Sequence, residues 1–236
     1  MAGAPFDYVL GLADDALILG HRLSEWCGHA PLLEEELALA NIGLDLIGQA
    51  RALYDYAGAI EGKGRDQDAL AYRRDAAQFG NLLLVEQPNG DFAMTVARQF
   101  LYSAFAAPFW RETTSAKDAT LAGIATEATH QAAYHLRHTA DWLIRLGDGT
   151  EESHCRAQAA IDALWPYTGE MFESGHASLR PEWDKTIATV LVEATLTRPK
   201  DGWMQTGGRS GRHSEHLGYI LAELQFLQRA YPDAKW

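Results

Sequence analysis

Cysteine is scarce. Cys27 and Cys155 are the two present in 236 residues, too few for a disulfide framework and compatible with a reducing compartment. Basic side chains are also in short supply, 20 against 32 acidic ones. The resulting formal charge of −12 offers nothing to offset repulsion from a phosphate backbone, which argues against general nucleic-acid binding. No apolar run approaches the roughly eighteen residues that a membrane span requires. The N-terminus lacks a basic region leading into an apolar stretch, because Asp14 and Asp15 interrupt the run that begins at Tyr8. A cytoplasmic chain with no membrane partner is therefore expected, with secretion by a signal-free route as the alternative. Period-two alternation is missing too, so a sheet is not expected.

What remains is helical periodicity in a chain that is 47% hydrophobic and long enough to bury a substantial core as one domain. The spacing predicts a first helix over Tyr8 to Cys27, where Leu10, Ala13 and Leu17 adjoin Leu12, Leu19, Leu23 and Trp26. The Gly28-His29-Ala30-Pro31 stretch stops it. A second helix over Leu32 to Ala59 is apolar nearly all round, the pattern of a helix buried on several sides. A shorter helix, Ala69 to Val85, is closed by Gln87-Pro88-Asn89-Gly90. A second long pair follows: one helix marked by Phe92, Val96, Phe100 and Ala104, with a kink near Pro108, and another over Lys117 to Leu146. Glu151 to Phe172, Pro181 to Thr197 and a C-terminal stripe of Leu217, Leu221, Leu224, Leu227 and Tyr231 complete the chain.

Long pair, short crossing helix, long pair, helical tail: this order is the connectivity of an all-α, ferritin-like four-helix bundle with a crossover connection. The expected organisation is a single domain over 1–236, with a core bundle about 8–146 and a C-terminal helical extension about 151–236. Di-iron members of that fold class place a Glu on the first helix of each pair and a Glu-x-x-His on the second. Three-residue spacing puts the two ligands on one helix face. Residues equidistant from a tight turn lie level, so the corresponding positions are Asn41 and Leu44 in the first pair and Gln131 and Tyr134 in the second. Neither pair supplies the ligands, so these four read as degenerate metal positions in a chain without its own metal. Glu127-Ala128-Thr129-His130 does match Glu-x-x-His. It reads either as an exposed helix edge or as part of a metal site; in the first pair there is no such match, although Asp14, Asp45 and His21 are spaced so that they could approach one another. Asn41, Asp45 and Gln49 form a polar stripe of the kind that builds a buried hydrogen-bonded network.

The chain resembles the C subunits of bacterial ring-1,2-phenylacetyl-CoA epoxidases, the phenylacetic acid degradation C proteins, over nearly its whole length. The resemblance is carried by Leu17-Ile18-Leu19-Gly20-His21-Arg22-Leu23, Glu25-Trp26-Cys27-Gly28-His29-Ala30-Pro31, Asn41-Ile42-Gly43-Leu44-Asp45-Leu46-Ile47-Gly48-Gln49-Ala50-Arg51 and Asn81-Leu82-Leu83-Leu84-Val85-Glu86-Gln87-Pro88-Asn89-Gly90. Tyr134-His135-Leu136-Arg137, Thr206-Gly207-Gly208 and Glu215-His216-Leu217-Gly218 extend it. The resemblance implies a structural subunit. Its homologous catalytic A subunit carries the di-iron centre and epoxidises the ring of phenylacetyl-CoA, with electrons from a reductase. Gln131 stands where a Glu occurs in some relatives.

Four further groups can be read from the sequence. The segment Arg198 to His213 is locally basic and contains Thr206-Gly207-Gly208, so Arg209 and Arg212 are candidates for the phosphates of coenzyme A; the alternative is a solvated basic loop. His213-Ser214-Glu215-His216 has metal-ligand spacing but suits a helix start better. Cys27 is expected to be a buried small residue rather than a nucleophile. Apolar residues on more than one face of the long helices imply a large permanent interface, with self-association when the partner is missing. Two competing functions stay open at this point: an active ferritin-like oxidase or iron-handling protein using Glu127 and His130, and a stand-alone acyl-CoA-binding module.

Overall fold

A computed structural model of the chain describes residues 4–173, 175–232 and 234. The ends of the expected 1–236 span therefore lie outside the described residues. The elements are α1 (Phe6–Ser24), α2 (Leu33–Glu61), α3 (Gln67–Tyr72), α4 (Phe92–Thr113), α5 (Ala119–Gly147), α6 (Glu151–Leu164), α7 (Arg180–Glu193), α8 (Glu215–Leu224) and α9 (Phe226–Ala230), with short 3-10 turns between them. Among the described residues there is no strand, and no helix is long and apolar enough to cross a membrane. The chain divides into two compact units, residues 1–29, 34–86 and 207–236 in the first and 30–33 and 87–206 in the second.

In the first unit α1 and α2 run antiparallel: Tyr54 donates to Asp14 at 2.6 Å near one end, and Gly20 meets Gly43 nearer the turn. A Cβ on Gly20 would lie 3.2 Å from the Gly43 carbonyl, so the missing side chains set how close the two backbones come. The side chains of α1 are buried from Val9 to Leu23 on almost every face. Acidic Glu34, Glu35 and Glu36 open α2 where the helix dipole favours negative charge.

The helix expected over 69–85 is shorter than its apolar residues suggest. After α3 and a turn at Ala76–Gln78 the chain leaves helical geometry. Its backbone N–H groups instead find carboxylates of α1, Gly80 N donating to Asp14 at 2.8 Å and Leu82 N to Asp15 at 2.7 Å. Buried acceptors on α1 thus replace the local helical bonds.

The second unit is built on α4 and α5. Phe92 at the start of α4 packs edge-on against Trp142 near the end of α5, which makes this pair antiparallel as well. Side-chain caps fix both starts, Asp91 accepting from Met94 N and Asp118 from Leu121 N. Pro108 lies inside α4, as expected. The helix expected over 151–172 ends at Leu164 and continues as 3-10 turns from Trp165, where Pro166 cannot donate. Trp183 of α7 is fully buried and donates to Leu101 O of α4 at 3.1 Å, and its ring meets Trp165 and Phe172.

Candidate functional site

The four degenerate positions do not line an interior. Asn41 is exposed, Leu44 is 66% exposed, Gln131 is half-buried and Tyr134 is 38% exposed. On α2 the buried face is Leu39, Ile42, Gly43, Leu46, Gln49, Ala50 and Leu53. On α5 it is Leu121, Ala125, Ala128, Ala132, His135, Thr139 and Leu143. The correction is a slip of one residue in both helices, about 100° of rotation. Levelling two helices from their turn fixes height along the axis but not rotation about it, and α2 is apolar on both its inner and outer faces.

In the corrected frame the three-residue spacing on α5 is Ala132 and His135. The histidine is 3% exposed, and alanine stands where a carboxylate ligand would be. Levelling misses His135 as a site position, although the ladder Ala125, Ala128, Ala132 marks the inward face. On α2 the same frame begins at Ile42, buried, with Asp45 half-buried three residues on. Glu127 and His130 are both exposed, so the literal Glu-x-x-His match sits on the outside of α5. Asn41 likewise leaves the expected buried stripe, of which Gln49 alone is buried. Cys27 and Cys155 are exposed; Cys27 falls in the turn beyond the last residue of α1, not on its packed face.

Three buried acids of the first unit, Asp14, Asp15 and Glu86, each face a basic side chain. Asp14 is bound by Arg74 and Tyr54, and the Arg74 guanidinium stacks 4.0 Å over the Phe79 ring. Asp15 is bound by Arg209, whose Nη1 also donates to Gly11 O at 2.8 Å and Gly80 O at 2.7 Å. Glu86 faces His213 at 2.9 Å and caps the start of α8 by accepting from Ser214 N at 2.7 Å. Burial pushes the Asp15 carboxyl up to about 6 although Arg209 and the Leu82 N–H pull it down. Burial likewise raises the Tyr54 hydroxyl, assisted by the Asp14 charge. On α1, burial lowers the His21 ring.

These bonds place the two coenzyme A candidates differently. The Arg209 guanidinium turns into the first unit, while Arg212 is exposed. His213 to His216 do not form a ligand set: His213 binds Glu86, and α8 begins at Glu215.

Among the described residues the side chains do not fit a six-ligand iron pattern. Among the described residues no three of His, Cys, Asp and Glu gather to hold a metal ion. The inward positions of α2 and α5 carry Ile42, Leu46, Ala125, Ala128 and Ala132. The acids of α1 are already neutralised by Arg74 and Arg209.

A profile of the family described as Phenylacetic acid catabolic protein matches residues 2–236. The C subunit of the 1,2-phenylacetyl-CoA epoxidase of Escherichia coli (strain K12) is 47% identical over 243 aligned positions, which cover 97% of this chain and 98% of that protein. With its two antiparallel helical pairs and its match from end to end, the chain belongs to the phenylacetic acid catabolic protein family and has its ferritin-like helical fold.

Proposed function

We propose that this chain is the non-catalytic, structural subunit of a multicomponent oxygenase that epoxidises the ring of phenylacetyl-CoA, in which a homologous catalytic subunit holds the di-iron centre. The observation that carries this reading is the chemistry of the inward positions. A di-iron site needs several carboxylates to bridge and balance two cations. Here α5 presents three alanines and His135 inward, and α2 presents Ile42 and Leu46. The Escherichia coli relative is named as one subunit of an epoxidase, which favours a multi-subunit assembly. The outer face of α2 supplies a surface for it. Leu33, Leu37 and Leu44 recur there at helical spacing and are 58–69% exposed, and permanent partners cover apolar stripes of this kind.

The test is reconstitution. Purified chain mixed with a catalytic subunit of the same family should give a stable complex by light scattering, and iron analysis should assign the metal to the catalytic subunit. Epoxidation of phenylacetyl-CoA should require both. Full activity of the catalytic subunit alone, or stoichiometric iron in this chain by itself, would reject the reading.

A further inference from the structure

In the first unit the segment from Gly207 to Ala230 returns to α1, α3 and the non-helical stretch 79–86. Arg209 bonds Gly11, Asp15 and Gly80; Gln225 donates to Ala71 O and Arg74 O; Arg229 donates to Arg74 O and pairs with Asp75. Between these ties sits His213, with 4% of its side chain exposed, against a fully buried Glu86.

Both ring nitrogens of His213 face acceptors. Nε2 lies 2.8 Å from the backbone carbonyl of Phe79. A carbonyl cannot donate, so Nε2 carries a proton. Nδ1 lies 2.9 Å from Glu86 Oε2. Glu86 already accepts from Asn81 Nδ2 at 2.9 Å and from Ser214 N at 2.7 Å, so both of its oxygens serve as acceptors here. The second proton therefore also resides on the ring, and an imidazole that donates from both nitrogens is an imidazolium.

We propose that His213 is a buried imidazolium that latches residues 207–230 onto the 79–86 stretch, and that loss of one ring proton releases the segment. A neutral ring has a lone pair on one nitrogen, which then faces either the Glu86 carboxylate or the Phe79 carbonyl in a site closed to water.

The surroundings set the direction of the response. Burial by itself lowers the ring's affinity for a proton. The Glu86 and Phe79 hydrogen bonds, with the charges of Glu86 and of Asp14 on α1, outweigh it and raise the pKa above 6.5. Other charged groups nearby are Arg74, which neutralises Asp14, Arg22, which donates to the Glu86 backbone carbonyl, and the Asp15–Arg209 pair. A raised folded-state value makes the latch strongest below the unfolded value and lost as pH rises through the folded one. Alkaline conditions thus free the C-terminal helices while the ionic tie of Arg209 to Asp15 persists.

The test uses the full chain labelled with 15N-histidine, followed by NMR from about pH 6 to about pH 9. Amide hydrogen exchange of α8 is measured over the same range, corrected for intrinsic rates and compared with α5. His213 should show two protonated nitrogens at neutral pH. Protection of α8, and not of α5, should fall by up to about tenfold per pH unit between the ring's unfolded value and its folded one, and level off above the folded value. His213→Gln, which cannot reproduce both donations with a positive charge, should lower α8 protection and flatten its pH dependence. Should that variant fail to fold, the wild-type NMR and exchange data decide alone. A singly protonated ring at neutral pH, or α8 protection that ignores the titration, overturns the latch.

Discussion

Asp14 and Asp15, adjacent in sequence, have separate partners on different parts of the first unit. Asp14 is fully buried with Arg74 and Tyr54, and Arg74 has 2% of its side chain exposed. Removing one member of such a pair leaves the other charged in a dry site. Arg74→Ala is expected to cost about 3–5 kcal/mol, read as a lowered urea midpoint, and an unchanged midpoint would show the pair to be dispensable. Asp15 gives a pH signature. Its folded value of about 6, against 3.8 for an unperturbed carboxyl, means that the folded chain holds the proton more tightly than the unfolded chain. Its contribution to stability is full below the lower value and lost as pH rises through the upper one. Asp15→Asn should flatten unfolding free energy against pH in that window, removing a slope of up to about 1.4 kcal/mol per unit. Arg212 keeps the exposed guanidinium that a coenzyme A contact requires, so Arg212→Ala should weaken binding of a coenzyme A ester to the assembled complex at low ionic strength, measured by titration calorimetry. The acids are visible in the sequence as a break in an apolar run. Their partners, 60 and 194 residues away, are not.

Among the elements, helix existence follows from periodicity, and helix length and rotation depend on neighbours. The caps Asp91, Asp118 and Thr150 begin α4, α5 and α6 by local chemistry that a sequence displays. The 79–86 stretch is apolar enough for a helix, yet Asp14 and Asp15 capture its amides. The turn before α8 carries a comparable constraint. Gly211 has φ +76°, and a Cβ there would lie 2.3 Å from Ala77 O. Gly211→Ala should destabilise the chain by about 1–3 kcal/mol through backbone strain and that clash. Thermal unfolding would report it, and a neutral result would mean that the turn can move aside.

For the whole molecule, the outer stripe of α2 is where the proposed assembly can be tested. Leu37→Glu with Leu44→Glu places charge on side chains that are already exposed. Helical content and melting temperature should therefore change little, while association with a catalytic subunit should drop by an order of magnitude or more in light scattering, in the manner of lost apolar anchors. Retained association would move the interface elsewhere.

The all-helical class and the two long pairs are written in the residues alone, because periodicity, caps and residue types are local properties. So is the family resemblance, read from motifs such as Asn81 to Gly90 and Glu215 to Gly218, and the end-to-end match bears that resemblance out. Folding had to choose that His135 rather than Tyr134 turns inward, that Arg209 points into the first unit, and that His213 meets Glu86 across 127 positions. Rotation and distance account for the division. A helix apolar on two faces does not declare which one is buried, and a buried charge is satisfied by whichever opposite group the folded chain brings to it.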